Sequence, residues 1–113
     1  MELEEPHLSG YIDRAGELAI PCQFAFAGAF SEGLAVAGVR MDGKFGYIDK
    51  DGEFIIPPQF EEWPGHFSEG MAAVRDDSTG KHGYIDKADT MVIKAQFDGA
   101  GVFSQGRARM QIG

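Results

Sequence analysis

A stretch that begins at Gly46 decides the fold, and it reads GYIDKDGEFIIPPQF through Phe60. Its first four residues recur at Gly10 and Gly83, so the three copies are separated by 36 and 37 residues. Downstream, every copy has a Gln-Phe pair followed by a Phe-Ser pair that leads into a glycine. A fixed period of this length is the signature of a repeat protein. The sequence therefore predicts one domain of three tandem units, residues 10–45, 46–82 and 83–113, preceded by a head of residues 1–9.

Each unit is predicted to form about three short antiparallel strands. The first strand covers residues 45–48 in the second unit and ends at the turn signal Asp49-Lys50-Asp51-Gly52. In the third unit Asp89 replaces the turn glycine, and aspartate tolerates the same left-handed backbone. The second strand, residues 54–56, is predicted to end at Pro57 and Pro58, which cannot donate to a ladder. No segment shows a helical period, which favours an all-β fold.

The third strand carries information about the two faces of each unit. Alanine recurs at one position in every unit, at residues 35, 72 and 108. Alternate residues of a strand share one face, and we expect the face that carries the alanines to lie against the core. The opposite face is then an outer face, and it carries four of the five arginines, which are Arg40, Arg75, Arg107 and Arg109. Two interpretations arise: a basic stripe for a carboxylate or phosphorylated partner, or ion pairs with Asp42, Asp76 and Asp77.

The order of the strands constrains the architecture. A short turn joins each third strand to the next first strand, so these two strands should pair. The first and last strands then have unpaired edges. We favour an open, solenoid-like array with the head as a candidate cap for one end, and the alternative is a closed, pseudo-threefold barrel or propeller-like ring.

The repeated pattern resembles the WG (or KWG) repeat family, which is found mainly in bacteria. The motifs that carry the resemblance are GYID, IPPQF and FSEG, in this order and at one period. Ser9, Phe45 and His82 stand where the family has the tryptophan that precedes the glycine. The resemblance implies a short β-rich repeat that is used in arrays, is often appended to other domains and brings no catalytic residues.

Composition excludes several classes of protein. The chain has 113 residues and a formal net charge of −8, which gives no long-range attraction for nucleic acid or anionic membranes. Its acidic start resembles no signal peptide, and no window is long and apolar enough to span a membrane. These features slightly favour a cytoplasmic location. Cys22 is the only cysteine, and we expect it to be a small buried residue rather than a reactive thiol.

The motifs that could carry chemistry do not support an enzyme, a metal site or a cofactor. Residues 49–60 begin like a calcium loop, but Phe54 and Phe60 replace its required glycine and glutamate. The three histidines have no ligand spacing and are expected to be solvated. The serine of FSEG recurs without a neighbouring histidine, which favours a turn role. Glu32 and Glu69 could pair as catalytic acids, but Gln105 breaks the series.

Residues that differ between units carry more functional weight than those that repeat. Trp63 lies in a loop that is one residue longer than its counterparts, and it aligns near Phe26. An exposed aromatic residue suits a partner pocket or a sugar ring, whereas the alternative is that Trp63 covers Phe60 and Phe67. We predict a non-enzymatic protein–protein interaction scaffold that binds through Trp63, Phe26 and the arginines. The alternatives are a carbohydrate or cell-envelope binding module and an element that self-associates end to end.

Overall fold

The structure, a computed structural model, describes residues 8–39 and 43–112, and this part of the chain forms strands and no helix. In chain order the strands are β1 Ser9–Ile12, β2 Leu18–Phe24, β3 Phe26–Ala27, β4 Ala35–Gly38, β5 Phe45–Ile48, β6 Phe54–Phe60, β7 Ala72–Arg75, β8 His82–Ile85, β9 Met91–Phe97, β10 Gly99–Ser104 and β11 Arg107–Gln111. The all-β prediction is confirmed. The head, residues 1–9, is described only from Leu8 onward, so its predicted capping role lies outside the described residues.

The strands form four small antiparallel sheets, with the orders β1-β2, β3-β4-β5-β6, β7-β8-β9 and β10-β11. The third strand of each unit pairs with the first strand of the next, as β4 with β5 and β7 with β8, so the predicted pairing is confirmed. Among the described residues β1 pairs only with β2 and β11 only with β10. The array is therefore open, and its extents of 50 × 36 × 20 Å are those of an elongated stack.

The prediction that prolines end the second strand is wrong. Strand β6 runs through Pro57 and Pro58 to Phe60, and β2 runs through Pro21. Both are edge strands of their sheets, and the register shifts at the prolines, so no ladder bond needs their missing N–H groups. A second difference is that the loop residues of β3 and β10 pair with the third strands of their own units.

Both faces of the middle sheet are buried. Ala35, Ala37 and Ile48 pack with Ile20 and Phe24 of the β1-β2 sheet. From the opposite face, Leu34, Val36, Tyr47 and Ile56 pack in a second cluster with Phe67, Ala72, Val74 and Ile85 of the third layer. The core is thus divided between the layers of a stack, as in repeat proteins whose units contact only their neighbours.

This stacking corrects the prediction of an outer face on the third strand. The face that carries the alanines lies in a core in the first two units, as predicted, but Met110 on the same face of the third unit is exposed. On the opposite face, Leu34, Val36 and Ala73 are also buried. Within residues 8–39 and 43–112, the face opposite the alanines is exposed only in the third unit, where Arg107 and Arg109 occupy the positions of Leu34 and Val36. A uniform outer face is therefore wrong, because each internal layer has neighbours on both sides.

The two turns of each unit have the predicted chemistry. The side chain of Asp49 accepts hydrogen bonds from the N–H groups of Asp51 and Glu53, and Gly52 has a φ of 86°. Asp89 takes the left-handed backbone predicted for it, with a φ of 63°. In the FSEG motif, Glu32 and Gly33 both have positive φ and close a hairpin between Ser31 and Leu34. The serine therefore has a turn position, as predicted.

The repeated polar residues tie neighbouring units together. The hydroxyl of Ser31 donates to the carbonyl of Phe67 at 2.6 Å, and that of Ser68 donates to Phe103 at the same distance. The carboxylate of Glu32 accepts from the N–H groups of Glu69 at 2.6 Å and Gly70 at 2.9 Å. The bond from Gly70, with help from Glu69 and the charge of Lys87, holds the pKa of Glu32 below its ordinary value.

This lowered pKa makes a pH-dependent prediction. Ionised Glu32 stabilises the folded state, so its contribution is complete above the unfolded carboxyl pKa of about 4.3 and is lost as pH falls through the lower native value. Glu32→Gln should show a smaller loss of stability in this acid range than the unchanged protein does, when urea unfolding is measured at each pH. Glu17→Gln is the control, since the Glu17 carboxylate bonds to no described residue. An equal effect of the two substitutions would contradict the assignment.

Candidate functional site

Three aromatic rings form a cluster at the surface, which we call the ring cluster: Phe26, Phe45 and Trp63. The centroid of the Trp63 ring lies 5.0 Å from that of Phe45 and 6.5 Å from that of Phe26, in edge-to-face arrangements. Phe26 and Phe45 are 5.4 Å apart. The side chain of Trp63 nevertheless stays exposed, with 51% of its surface accessible. The structure thus brings the two predicted aromatic residues together on an accessible surface.

Two small residues allow the rings to pack this closely. A Cβ at Gly28 would lie 3.1 Å from Cζ2 of Trp63, and a Cβ at Gly38 would lie 3.3 Å from Cδ1 of Phe45. The alternative prediction placed Trp63 over Phe60 and Phe67, but both of those rings pack on Tyr47. The ring contacts of Trp63 are instead with Phe45 and, one unit earlier, with Phe26.

The four predicted arginines do not share one environment. Arg75 forms ion pairs with Glu62 at 2.9 Å and Asp77 at 3.2 Å, which matches the ion-pair interpretation. Asp76 instead accepts hydrogen bonds from the backbone and hydroxyl of Ser78. Arg107 and Arg109 are exposed on β11, and neither forms an ion pair with a residue in the described ranges. Arg40 and its predicted partner Asp42 lie outside the described residues.

A groove of about 320 Å³ lies between the second and third units. Its lining comprises Trp63, Pro64, Gly65, His66, Ala73, His82, Ala100, Gly101 and Val102. Trp63 therefore borders both the ring cluster and this groove. The residue that sequence reasoning missed is His82, which begins strand β8.

His82 differs from the solvated histidine that the sequence predicted. Its side chain is half-buried, and its Nδ1 is buried without a hydrogen-bond partner in the described part of the chain. An imidazole nitrogen of this kind either accepts or donates one hydrogen bond. His66 is exposed as predicted, and His7 lies outside the described residues. The sequence feature that could have indicated His82 as a site residue is its alignment with Phe45, which belongs to the ring cluster.

The other side chains considered for chemistry are Cys22, Glu32 and Glu69. Cys22 is exposed on β2, so the prediction that it is buried is wrong. Glu32 and Glu69 do not form a carboxylate pair, because each accepts backbone hydrogen bonds from the following unit. Residues 8–39 and 43–112 bring no three metal-ligating side chains together. They also contain no helix with an apolar length sufficient to cross a bilayer.

Comparison with known proteins identifies the repeat. The family model described as "WG containing repeat" matches the chain three times, at residues 10–45, 45–79 and 83–113. No curated protein and no solved structure matches the chain. The three matches cover most of the sequence and coincide with the repeated strands, and the chain therefore belongs to the WG repeat family.

Proposed function

We propose that this WG-repeat chain is a non-enzymatic protein–protein interaction scaffold whose main contact is the ring cluster. The observation that carries the proposal is the half-exposed indole of Trp63, held edge-to-face by Phe45 and Phe26. Rigid aromatic side chains that are fixed in place but accessible are the usual anchors of protein interfaces. The layered core does not include Trp63, so its position is available for binding.

Arg107 and Arg109 supply a second contact region. Both are exposed, and an arginine side chain can bind a carboxylate or phosphate with two parallel hydrogen bonds. They are the better candidates among the arginines, because Arg75 already has two carboxylate partners. A partner with acidic side chains would complement this region, even though the chain as a whole is acidic.

The geometry of the repeated motif supports a non-enzymatic role. The hydroxyls of Ser31 and Ser68 are committed to backbone carbonyls, and the carboxylate of Glu32 is committed to two backbone N–H groups. A nucleophile needs a neighbouring base, and a general acid needs access to a substrate. These side chains instead connect the units, which explains why they recur.

The arginines also weigh against end-to-end self-association. A fourth unit stacked in the same way would cover Arg107 and Arg109, where the first unit buries Leu34 and Val36. Burying unpaired charges costs free energy. We therefore favour a different protein, rather than a second copy, as the partner.

The proposal is tested by affinity capture from a lysate of the source cells. A stoichiometric protein should be retained by the unchanged chain and lost with Trp63→Ala. Val92→Ala is the matched control, because Val92 is also about half exposed, at 48%, but lies outside the ring cluster. Both variants are first shown to be folded by circular dichroism.

Three outcomes would contradict the proposal. Equal capture by both variants would remove the ring cluster from the interface. Retention of a polysaccharide from a panel, lost with Trp63→Ala, would indicate a glycan-binding module. A mass that rises with concentration in light scattering would instead indicate self-association.

A further inference from the structure

The first and third units can be superposed position by position through their strand pairing. Phe26 of β3 pairs with Gly38, and Gly99 of β10 pairs with Gln111 at the same place in the ladder. In the second unit the same position is held by Trp63, two residues before Gly65. Gly28, Gly65 and Gly101 fix this alignment, because their carbonyls accept from the hydroxyls of Tyr11, Tyr47 and Tyr84. Phe26, Trp63 and Gly99 are therefore equivalent.

Between the first and second units this position is filled by the indole of Trp63. The indole contacts three residues of its surroundings, namely Phe26, Gly28 and Phe45. One unit later, the equivalents of these three residues are Trp63, Gly65 and His82. All three line the groove of about 320 Å³ between the second and third units. These three lining residues are thus equivalent to those that surround the indole of Trp63 one unit earlier.

The third unit has no aromatic ring to fill this groove. Its equivalent of Trp63 is Gly99, so a ring that is present between the first two units is missing between the last two. Binding pockets for whole organic ligands have volumes of about 300–1,000 Å³, and this groove lies at the lower limit of that range. Its size suits a single ring system rather than a larger ligand.

His82 takes the place of Phe45 in the wall of the groove. One unit earlier, Phe45 holds the indole of Trp63 edge-to-face at a centroid distance of 5.0 Å. Aromatic rings gain from such edge-to-face or offset contacts, which an aliphatic side chain cannot make. Trp63, Pro64, Ala73 and Val102 supply the apolar surface of the groove.

We infer that the groove between the second and third units binds the side chain of a tryptophan from a partner protein, whose ring packs against His82 as the ring of Trp63 packs against Phe45 one unit earlier. The inference rests on the proposed function only for the source of the tryptophan. The ring occupies the position that Trp63 occupies one unit earlier, and Trp63 itself forms one wall.

The pocket is tested without a partner by titrating the protein with N-acetyl-tryptophanamide and following its NMR signals. The imidazole of His82 and the indole N–H of Trp63 should shift saturably. N-acetyl-leucinamide should leave both signals unchanged. Absence of a saturable shift with the tryptophan amide would overturn the inference.

Two substitutions test the geometry. Gly99→Trp should place an indole in the groove and abolish binding of the probe, whereas Gly99→Ala should keep it, because a Cβ there meets only the flexible side chain of Gln111, at 3.3 Å. His82→Phe should retain binding, because Phe45 holds the equivalent position beside the indole of Trp63. Unchanged binding in a folded Gly99→Trp protein, or loss of binding in a folded His82→Phe protein, would contradict the inference.

Different results would contradict the interaction scaffold and the tryptophan pocket. Capture of a partner that depends on Trp63, without probe binding, would leave the scaffold function and remove the pocket. Probe binding without such capture would leave the pocket and remove a protein as the source of the tryptophan.

Discussion

Replacing Gly46 with alanine should lower the free energy of unfolding by about 3 kcal/mol or more, a large part of the stability of a small domain. A Cβ at this position would lie 2.7 Å from the carbonyl carbon of Pro57 and 2.8 Å from the backbone nitrogen of Pro58. These are backbone atoms, which cannot turn away as a flexible side chain can. Urea unfolding, followed by tyrosine fluorescence or circular dichroism, measures the loss.

The close approach at Gly46 follows from the pairing of β5 with β6. Phe45 pairs with Phe60 but Tyr47 pairs with Ile56, so β6 contributes extra residues opposite Gly46 and bulges towards it. Gly10 and Gly83 face the same crowding in their own units, each with a carbonyl oxygen 2.5 Å from the added Cβ. The glycine of GYID is therefore required by the ladder in every unit.

Gly101→Ala is the matched control for this prediction. Its added Cβ would have its nearest neighbour at 3.5 Å, an ordinary contact, and its φ is not in the left-handed region. We expect a change within about 1 kcal/mol in either direction. Similar losses for the two substitutions would show that the crowding at the bulge is not what requires the glycine.

The features that could be predicted from the sequence are those that residues close together in the chain determine. The recurrence of GYID fixed the number of units, and the Asp and Gly residues fixed the turns, including the positive φ of Asp89. Pairing of each third strand with the next first strand followed from the short connection between them. Each of these predictions depends on a few neighbouring residues.

The features that were predicted wrongly depend on how layers stack. Because side chains point alternately to the two faces of a strand, β4 was expected to bury only the face of Ala35 and Ala37. Leu34 and Val36, on the opposite face, are nevertheless buried too. The continuous apolar run Leu34-Ala35-Val36-Ala37 is itself typical of a strand that is covered on both faces. Reading it correctly required the knowledge that an internal layer has two neighbours.

The candidate site was predicted only in part for a similar reason. Trp63 and Phe26 were predicted as binding residues from their difference between units, and the structure brings them together. Phe45 was noted as a replacement of a family residue, and His82 was noted as such a replacement and as a solvated histidine. Their equivalence, and the contrast between Trp63 and Gly99, depends on the register of β3 and β10, which the sequence did not reveal.

Replacing Phe67 with alanine should cost about 3–5 kcal/mol, the range for a fully buried phenylalanine. The side chain of Phe67 is 0% exposed and lies in the cluster that joins the second and third layers. Its ring packs against that of Tyr47 at a centroid distance of 4.8 Å. Its removal therefore leaves a cavity inside the stack, and urea unfolding should show it.

The chain contains its own control, because Phe103 holds the same motif position in the third unit. Phe103 packs on Tyr84 at 4.9 Å, almost as Phe67 packs on Tyr47, but it is only half-buried, since none of the described residues forms a layer over it. If contact with the next layer supplies most of the stability, Phe103→Ala should cost about half as much as Phe67→Ala. Equal costs would place the stabilising contact within each unit, and the stack would then add little to the stability of its members.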